Sequence, residues 1–314
     1  MKIAFVIPVY NECESLEALA EGIAEHAAVA AGAPASASVD EWRVFFIDDG
    51  STDGSADVLR RLASESDHIE LIRFRRNLGK SAALDVGFTQ ARAFADGPDD
   101  VVFTMDADLQ DDPKEIPRFI EKLADGWDVV SGWKAIRHDP WHKTMPSHVY
   151  NRWVTWMFGL DIHDVNCGFK AYRAEVVGKL RVYGDMHRLL PVWAARLGYR
   201  VTEIEVEHHA RQFGVSKYGV GRFSRGAVDV LTVWFLTRHG DAPGHFFGMI
   251  GLVAVAAGVL SFLLSDLSAI LFFLGLMLPL FGFGMLGLGW LAELTVRRIG
   301  PEDATPFIVD ASEE

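Results

Sequence analysis

Asp106 and Asp108 stand one residue apart behind an apolar run, Val101 to Met105. Two carboxylates this close repel each other unless a divalent cation sits between them and a polyphosphate. Hard oxygen ligands suit Mg²⁺ or Mn²⁺, completed by phosphate oxygens and water. Three more polar clusters hold the same position behind an apolar run: Pro-Val-Tyr-Asn-Glu at 8–12, Asp-Asp-Gly-Ser-Thr-Asp at 48–53, and Arg-Arg-Asn-Leu-Gly-Lys at 75–80. Taken singly, some of these have plainer explanations. Ser51, Thr52 and Asp53 all cap helices, Gly50 supplies a permissive backbone, and Asp111, Asp112 and Pro113 make a helix start. The order of all four, each behind a strand, favours a shared ligand site. The first 240 residues contain neither Gly-x-x-x-x-Gly-Lys-Ser/Thr nor Gly-x-Gly-x-x-Gly, so this is not an ordinary ATPase or dinucleotide fold.

The elements that position these clusters are legible in the apolar pattern. Lys2 to Val9, Arg43 to Asp48, Ile69 to Phe74, Val101 to Met105 and Asp128 to Ser131 read as short buried strands, with helical patterns around 14–30, 53–65, 80–95 and 114–125. Such a βαβ series predicts a mainly parallel sheet with helices on both faces and ligands at the carboxyl ends of the strands. With 314 residues, 50% hydrophobic and 23% charged, a substantial core is available. A net charge of −13 argues against broad nucleic-acid binding, so any anion site must be local. The two cysteines, Cys13 and Cys167, have no partner spacing for a disulfide framework or zinc site, which fits a reducing compartment. The opening Met-Lys-Ile-Ala-Phe-Val-Ile-Pro is too brief and wrongly flanked for a signal peptide.

Towards the C-terminus the composition changes. Phe246 to Leu264 and Ala269 to Ala292 are uncharged, and each is long enough to cross a hydrocarbon core of roughly 30 Å as a helix. The four residues between them make a tight turn, predicting a transmembrane hairpin. Arg238 and His239 precede the first span, Arg297 and Arg298 follow the second, and the turn has no Lys or Arg; the positive-inside rule then puts both chain ends in the cytoplasm. Pro279 and the glycines of the second span predict a kinked helix with close contacts.

Taken together, PVYNE (8–12), DDGSTDGS (48–55), RRNLGKSAALDVGF (75–88), DADLQDDP (106–113), NCGFKAY (166–172), RQFGVSKYG (211–219) and the hairpin resemble the glycosyltransferase family 2 enzymes of GT-A fold. Within that family the chain looks like the polyprenyl-phosphate glycosyltransferases, bacterial relatives of dolichyl-phosphate mannose synthase. The resemblance covers nearly the whole chain. It implies an α/β GT-A (Rossmann-like) domain over 1–218, an amphipathic interface helix and linker over 219–244, the hairpin over 245–293 and a cytosolic tail over 294–314. It further implies an inverting, metal-dependent transfer from a UDP- or GDP-linked sugar to undecaprenyl or dolichyl phosphate at the inner membrane. Pro8, Tyr10, Glu12, Asp49 and Lys80 match nucleotide-binding positions, together with Asp106. Asp106, Asp108 and Gln110 match the Mg²⁺ or Mn²⁺ and diphosphate ligands, and Asp106, Asp108, Asp185 and Arg211 the catalytic positions. Lys134, Lys143, Ser147, Ser216 and Lys217 match an acceptor-phosphate cluster. One departure is Asp112, where the family usually has Pro. A homo-oligomer, a tetramer, is expected by the same resemblance.

The local charge agrees with a basic acceptor site in an acidic protein: Lys134, Arg137, Lys143 and Arg152 face one acid, Asp139, and Arg211, Lys217, Arg222 and Arg225 face none between 208 and 226. A solvated basic face is the plainer alternative. Tyr150, Trp153, Trp156 and Phe158 make the stretch after Lys143 amphipathic, suited to a headgroup layer. Ser147 after Pro146 reads as the N-cap of that helix, which would add backbone donors to the anion site. A phosphate acceptor is already ionised at pH 7 and needs no general base, so Asp185 stands as base, sugar contact or partner of Arg188. A processive polysaccharide synthase is the second enzyme reading, but the Gln-x-x-Arg-Trp pattern is missing: Val149 stands where Gln would be before Arg152-Trp153. A non-catalytic scaffold would be favoured by loss of the paired acids, and both are present.

Overall fold

The computed structural model describes residues 1–31, 39–135, 141–180, 182, 184, 186–209, 222–240 and 242–299. The chain divides into two compact units, Met1–Val230 and Leu231–Glu314.

The first unit is built on a seven-stranded sheet. Its strands are β1 (Lys2–Val9), β2 (Glu41–Asp48), β3 (Ile69–Arg73), β4 (Val101–Thr104), β5 (Val129–Trp133), β6 (Lys170–Arg173) and β7 (Val201–Glu205). The spatial order is β3-β2-β1-β4-β6-β5-β7. β3, β2, β1 and β4 are mutually parallel, while β6 runs antiparallel to both neighbours and β5 pairs parallel with β7. The predicted mainly parallel sheet is therefore present, with one antiparallel insertion that the pattern of the first five strands did not reveal.

Alternation along the strands divides the core. Ile3, Phe5 and Ile7 of β1 join Val44, Phe46 and Phe103 on one face, against α1 (Leu16–Ala31) and α4 (Ile116–Ala124). Ala4 and Val6 join Phe45, Ile47 and Val102 on the other, against α3 (Lys80–Phe94), α6 (Ala174–Lys179) and α7 (Leu190–Arg196). The remaining early helix, α2 (Ser55–Glu65), follows β2.

The order places a switch point between β1 and β4: the chain runs outward from β1 through β2 to β3 and then crosses back to the other side of β1. Pro8 confirms the opening. A proline lacks a ladder donor and is unexpected in a central strand. Pairing of β1 with β4 ends at Val6–Thr104, however, so the β4-facing edge of β1 at Pro8 needs no donor.

Two further helices are α5 (Trp141–Phe158) and α8 (Arg222–His239). α5 begins six residues before Ser147, which corrects the expected N-cap: the helix runs on through Pro146, and Ser147 lies within it. Along its second half Val154 and Asn151 are buried, the Asn151 Nδ2 donating to Asp164 Oδ1 at 3.1 Å, while Val149 and Trp156 are exposed, Trp156 by 79%.

In the second unit, α9 (Pro243–Leu263) and α10 (Ala269–Ile299) are joined by a single short turn. An 18-residue stretch within each of the spans Pro243–Leu263 and Ala269–Val296 has a mean hydropathy of 2.3, and both spans are long and apolar enough to cross a bilayer. Glycines recur every seventh residue on each helix, at 244, 251 and 258 and at 275, 282 and 289. They face each other in antiparallel order. A Cβ on Gly251 would lie 2.7 Å from the Gly282 carbonyl, one on Gly282 2.6 Å from the Gly251 carbonyl, and one on Gly275 2.8 Å from Phe262. A seven-residue period keeps this seam in register along both helices. α10 continues as helix through Pro279, whose ring occupies the space above Gly258. At the open end of the hairpin the Glu293 carboxylate accepts the Gly244 amide at 3.2 Å, satisfying a donor at the α9 N-terminus.

Candidate active site

The four clusters converge at the carboxyl ends of β1, β2, β3 and β4. The loops after β1 and β2 are stitched together: the amides of Asn11 and Glu12 donate to the hydroxyls of Ser51 and Ser55 at 3.0 Å, and the Thr52 amide donates to Asn11 Oδ1 at 2.8 Å. Asn11 has φ 54°, an αL conformation that asparagine tolerates and that turns the chain back over this loop. Tyr10 and Glu12 are thereby held half-buried at the rim.

Asp48 and Asp49 are both buried and do different work. Asp48 accepts the Ser51 amide at 2.8 Å and pairs with Arg73 Nε at 3.0 Å. Asp49 reaches across to the loop after β3, accepting the amides of Leu78 at 2.6 Å and Gly79 at 2.9 Å. Burial raises the Asp49 carboxyl above the ordinary range, partly offset by these two amides and reinforced by the charge of Asp48. The residue that follows this clamped loop is Lys80.

Lys80 opens α3 and its ammonium pairs with Asp106 Oδ1. Burial by itself would raise the Asp106 carboxyl, but Lys80, Lys134 and His187 outweigh it and hold the group well below the usual carboxylate range. Asp108 is buried and accepts the Gln110 amide at 3.3 Å. Between them and the next helix Leu109 sits at φ 56°, a costly conformation for a leucine, and this reversal brings Gln110 against the segment after β7. The Gln110 carbonyl accepts the His209 amide at 2.9 Å, and the Gln110 side-chain nitrogen donates to the His209 carbonyl at 3.3 Å. Asp112, Glu207 and His209 cluster beyond it, with His209 Nε2 at 3.0 Å from Asp112 and the Lys114 ammonium bridging Asp112 and Glu207 at 3.1 and 2.5 Å.

Lys134 is placed inward. Its ammonium lies 2.7 Å from the fully buried Asp111, and the side chain is 13% exposed. Burial disfavours its charge, but Asp111 more than compensates and raises its pKa. The ammonium therefore sits behind the aspartates, adding its field at Asp106. Lys143 and Ser147 fall one helical turn apart on α5, with their side chains outside the described ones. Asp185, Arg211, Ser216 and Lys217 lie outside the described residues.

Several further residues complete the site. Ser81, His187, Asn166, Gly168 and Lys170 line a small cavity with Lys80 and Asp106 or support its wall. His187 Nδ1 lies 2.9 Å from Ser81 Oγ, tying the segment after α6 to the start of α3. Lys170 is 2% exposed and donates to the Cys167 carbonyl, and burial lowers its pKa. Burial likewise pushes the Cys167 thiol up to about 12, so it is inert. The motifs at 75–88 and 166–172 pointed to this wall, whereas His187 lies in neither.

Residues 4–181, more than half of the chain, match the family described as Glycosyl transferase family 2. The chain belongs to that family. A dodecaprenyl-phosphate galacturonate synthase from Rhizobium johnstonii is 33% identical over 321 residues, covering 98% of this chain and 91% of the relative. An undecaprenyl-phosphate 4-deoxy-4-formamido-L-arabinose transferase from Proteus mirabilis is 35% identical over 260 residues, covering 82% and 74%. Among solved structures, the fold is similar to glucosyl-3-phosphoglycerate synthase from Mycobacterium tuberculosis with Mn²⁺, UDP and phosphoglyceric acid. The TM-score is 0.54 at 19% identity over 74% of this chain and 78% of that one. A mannosyltransferase from Pyrobaculum calidifontis with GDP-Man and Mn²⁺ has a TM-score of 0.50 at 20% identity over 74% and 62%. As a family 2 glycosyltransferase the chain keeps the GT-A sheet, and the switch-point crevice between β1 and β4 is its candidate active site.

Proposed function

We propose that this glycosyltransferase moves a sugar from a UDP- or GDP-linked donor to a polyprenyl phosphate of the undecaprenyl or dolichyl type, inverting the anomeric carbon. The observation that carries the reading is the Asp106 carboxylate, kept ionised by Lys80 and Lys134 at the β1–β4 crevice, in a chain that ends in two apolar helices long enough to cross a bilayer. The acceptor class is supported by the relatives, both named for work on a polyprenyl phosphate.

Pro8, Tyr10, Glu12 and Asp49 hold the nucleoside, and Lys80 with Asp106 meets the diphosphate. Asp106, Asp108 and Gln110 would hold Mg²⁺ or Mn²⁺; the donor set is two carboxylates and an amide oxygen, one carboxylate firmly ionised, which suits a hard divalent cation. When bound, the cation neutralises charge on the departing nucleoside diphosphate. Asp49, by clamping Leu78 and Gly79, aims Lys80 at the same charge, and Arg211 adds a second cation. Lys143 and Ser147 on α5, with Ser216 and Lys217, receive the acceptor phosphate, and Lys134 lends its charge from behind Asp111. An acceptor oxygen then forms its bond to the anomeric carbon as the bond to the diphosphate breaks. The acceptor is ionised beforehand, so Asp185 serves the sugar or Arg188 rather than having to take a proton. Exposed Trp156 and, separately, the apolar hairpin support a reaction at the membrane surface, with both chain ends cytoplasmic by the arginines flanking the spans and the chain in a homo-oligomer.

The test is transfer from radiolabelled nucleotide sugars to undecaprenyl phosphate in detergent micelles, with and without EDTA. Label extractable with the lipid and lost in EDTA is expected. Label in polymer would favour a processive synthase, and no transfer from any UDP- or GDP-sugar of a broad panel would overturn the reading.

A further inference from the structure

The segment Asn166 to Tyr172 has no role in the mechanism above, yet one of its residues touches the reacting end of the site. β4 and β6 are antiparallel with Thr104 opposite Lys170. Continuing that register two residues beyond the ladder sets Asp106 opposite Gly168. Side chains so placed normally stand with Cβ atoms about 4.5–5.5 Å apart. Here the Asp106 head group has folded into the space of the missing one: a Cβ on Gly168 would lie 2.6 Å from Oδ2, 2.7 Å from Cγ and 2.9 Å from Oδ1. Rotating the carboxylate exchanges its oxygens and relieves nothing.

Gly168 has no room to retreat. Its carbonyl accepts the Thr104 hydroxyl at 2.9 Å, and that of Phe169 accepts the Gly132 amide at 2.9 Å. The Phe169 ring packs 4.4 Å from Phe119. On its other side Asp106 is held by Lys80. Gly168 is not among the glycines of positive φ, so alanine meets no backbone objection there, and the requirement is one of space alone.

We infer that Gly168 is a positioning residue whose absent side chain is the seat of the Asp106 carboxylate, holding that group towards Lys80 and the donor diphosphate. The functional half of this inference rests on the reading of Asp106 as a donor and metal ligand; the seat itself does not. The test uses the full chain in mild detergent as wild type, Gly168→Ala, Asp106→Ala and the double variant. Thermal unfolding is measured on all four, and Mn²⁺ binding with UDP and with GDP is followed by electron paramagnetic resonance. Gly168→Ala is expected to lower the Tm by about 2 °C or more, as overpacking beside a held side chain requires, and to do far less when Asp106 is already alanine. It is also expected to weaken Mn²⁺–nucleotide binding at least tenfold. A Gly168→Ala chain too unstable to purify, but recovered in the double variant, supports the seat equally. Equal Tm losses in both backgrounds would overturn it. So would unchanged Mn²⁺–nucleotide binding in Gly168→Ala when Asp106→Ala abolishes it. If Asp106→Ala keeps wild-type Mn²⁺–nucleotide binding, the reading of Asp106 as a ligand fails instead, and the Tm comparison still reports on the seat.

Discussion

Asp49→Asn isolates the clamp that aims Lys80. In the wild type both carboxylate oxygens accept backbone amides, at 2.6 and 2.9 Å, and hydrogen bonds to a charged group contribute about 1.5–3 kcal/mol each. Asparagine keeps one acceptor and turns an NH₂ towards the other amide, so one bond is lost and a donor faces a donor. Against this, the substitution removes the cost of burying a charge beside Asp48. The balance is a destabilisation of about 1–3 kcal/mol, or a Tm lower by roughly 2–10 °C for a unit of this size. The pH dependence follows from the raised carboxyl. Its charged form is disfavoured by folding, so the burial cost is present above the folded pKa and disappears as pH falls through it. Acidification therefore stabilises the wild type but not the variant, which does not titrate at this position, so the gap between them widens as pH falls. The assay is thermal unfolding from pH 4 to 8, paired with steady-state kinetics. Donor KM should rise through the nucleoside contact and kcat fall as the Lys80 loop loosens. A variant with wild-type Tm at pH 7 and unchanged donor KM would refute the clamp.

Asp108→Asn, which removes charge at nearly constant shape, is expected to lower turnover by roughly two to three orders of magnitude while the circular dichroism spectrum stays native. EDTA should abolish wild-type activity with recovery on adding Mn²⁺, and full activity of the variant in EDTA would contradict the proposed ligand set. Lys143→Ala is expected to raise the KM for polyprenyl phosphate about tenfold or more and leave nucleotide-sugar binding near normal, as the loss of one charge-assisted contact requires; the opposite pattern would reassign α5. In the hairpin, Gly282→Ala pushes a Cβ against the Gly251 carbonyl at 2.6 Å and should destabilise by about 1–3 kcal/mol, whereas Gly284→Ala, with nothing within 4 Å, should be neutral or stabilising through better helix propensity. Detergent-resistance unfolding monitored by tryptophan fluorescence distinguishes the two, and equal effects would disprove the seam.

Some of this protein was legible because its information is local. Strand and helix periods, and the polar clusters directly behind the apolar runs, sit within a few residues of one another, so β1 to β5 and the convergence of residues 8–12, 48–53, 75–80 and 106–113 on one edge follow from pattern alone. The hairpin follows in the same way from uninterrupted apolar length. The glycines of the second span likewise announced close helix contacts, while the backbone that Gly275, Gly282 and Gly289 meet on the first span came only from the structure.

The sequence by itself therefore determined the architecture of the parallel half and the chemistry gathered at its edge; tertiary structure decided which of those groups hold each other. The antiparallel β6 takes its place beside β4 through pairing between residues far apart in the chain, for which a four-residue strand carries no period. Lys134 and Asp111, His187 and Ser81, and Gly168 and Asp106 meet only once that strand and its loops are in place. Even a local rule failed at Ser147, since a good N-cap residue behind a proline does not start a helix that already runs from Trp141. The physical reason is common to all: residue type states what a side chain can do, while its partner, burial and charge state depend on neighbours supplied by distant segments.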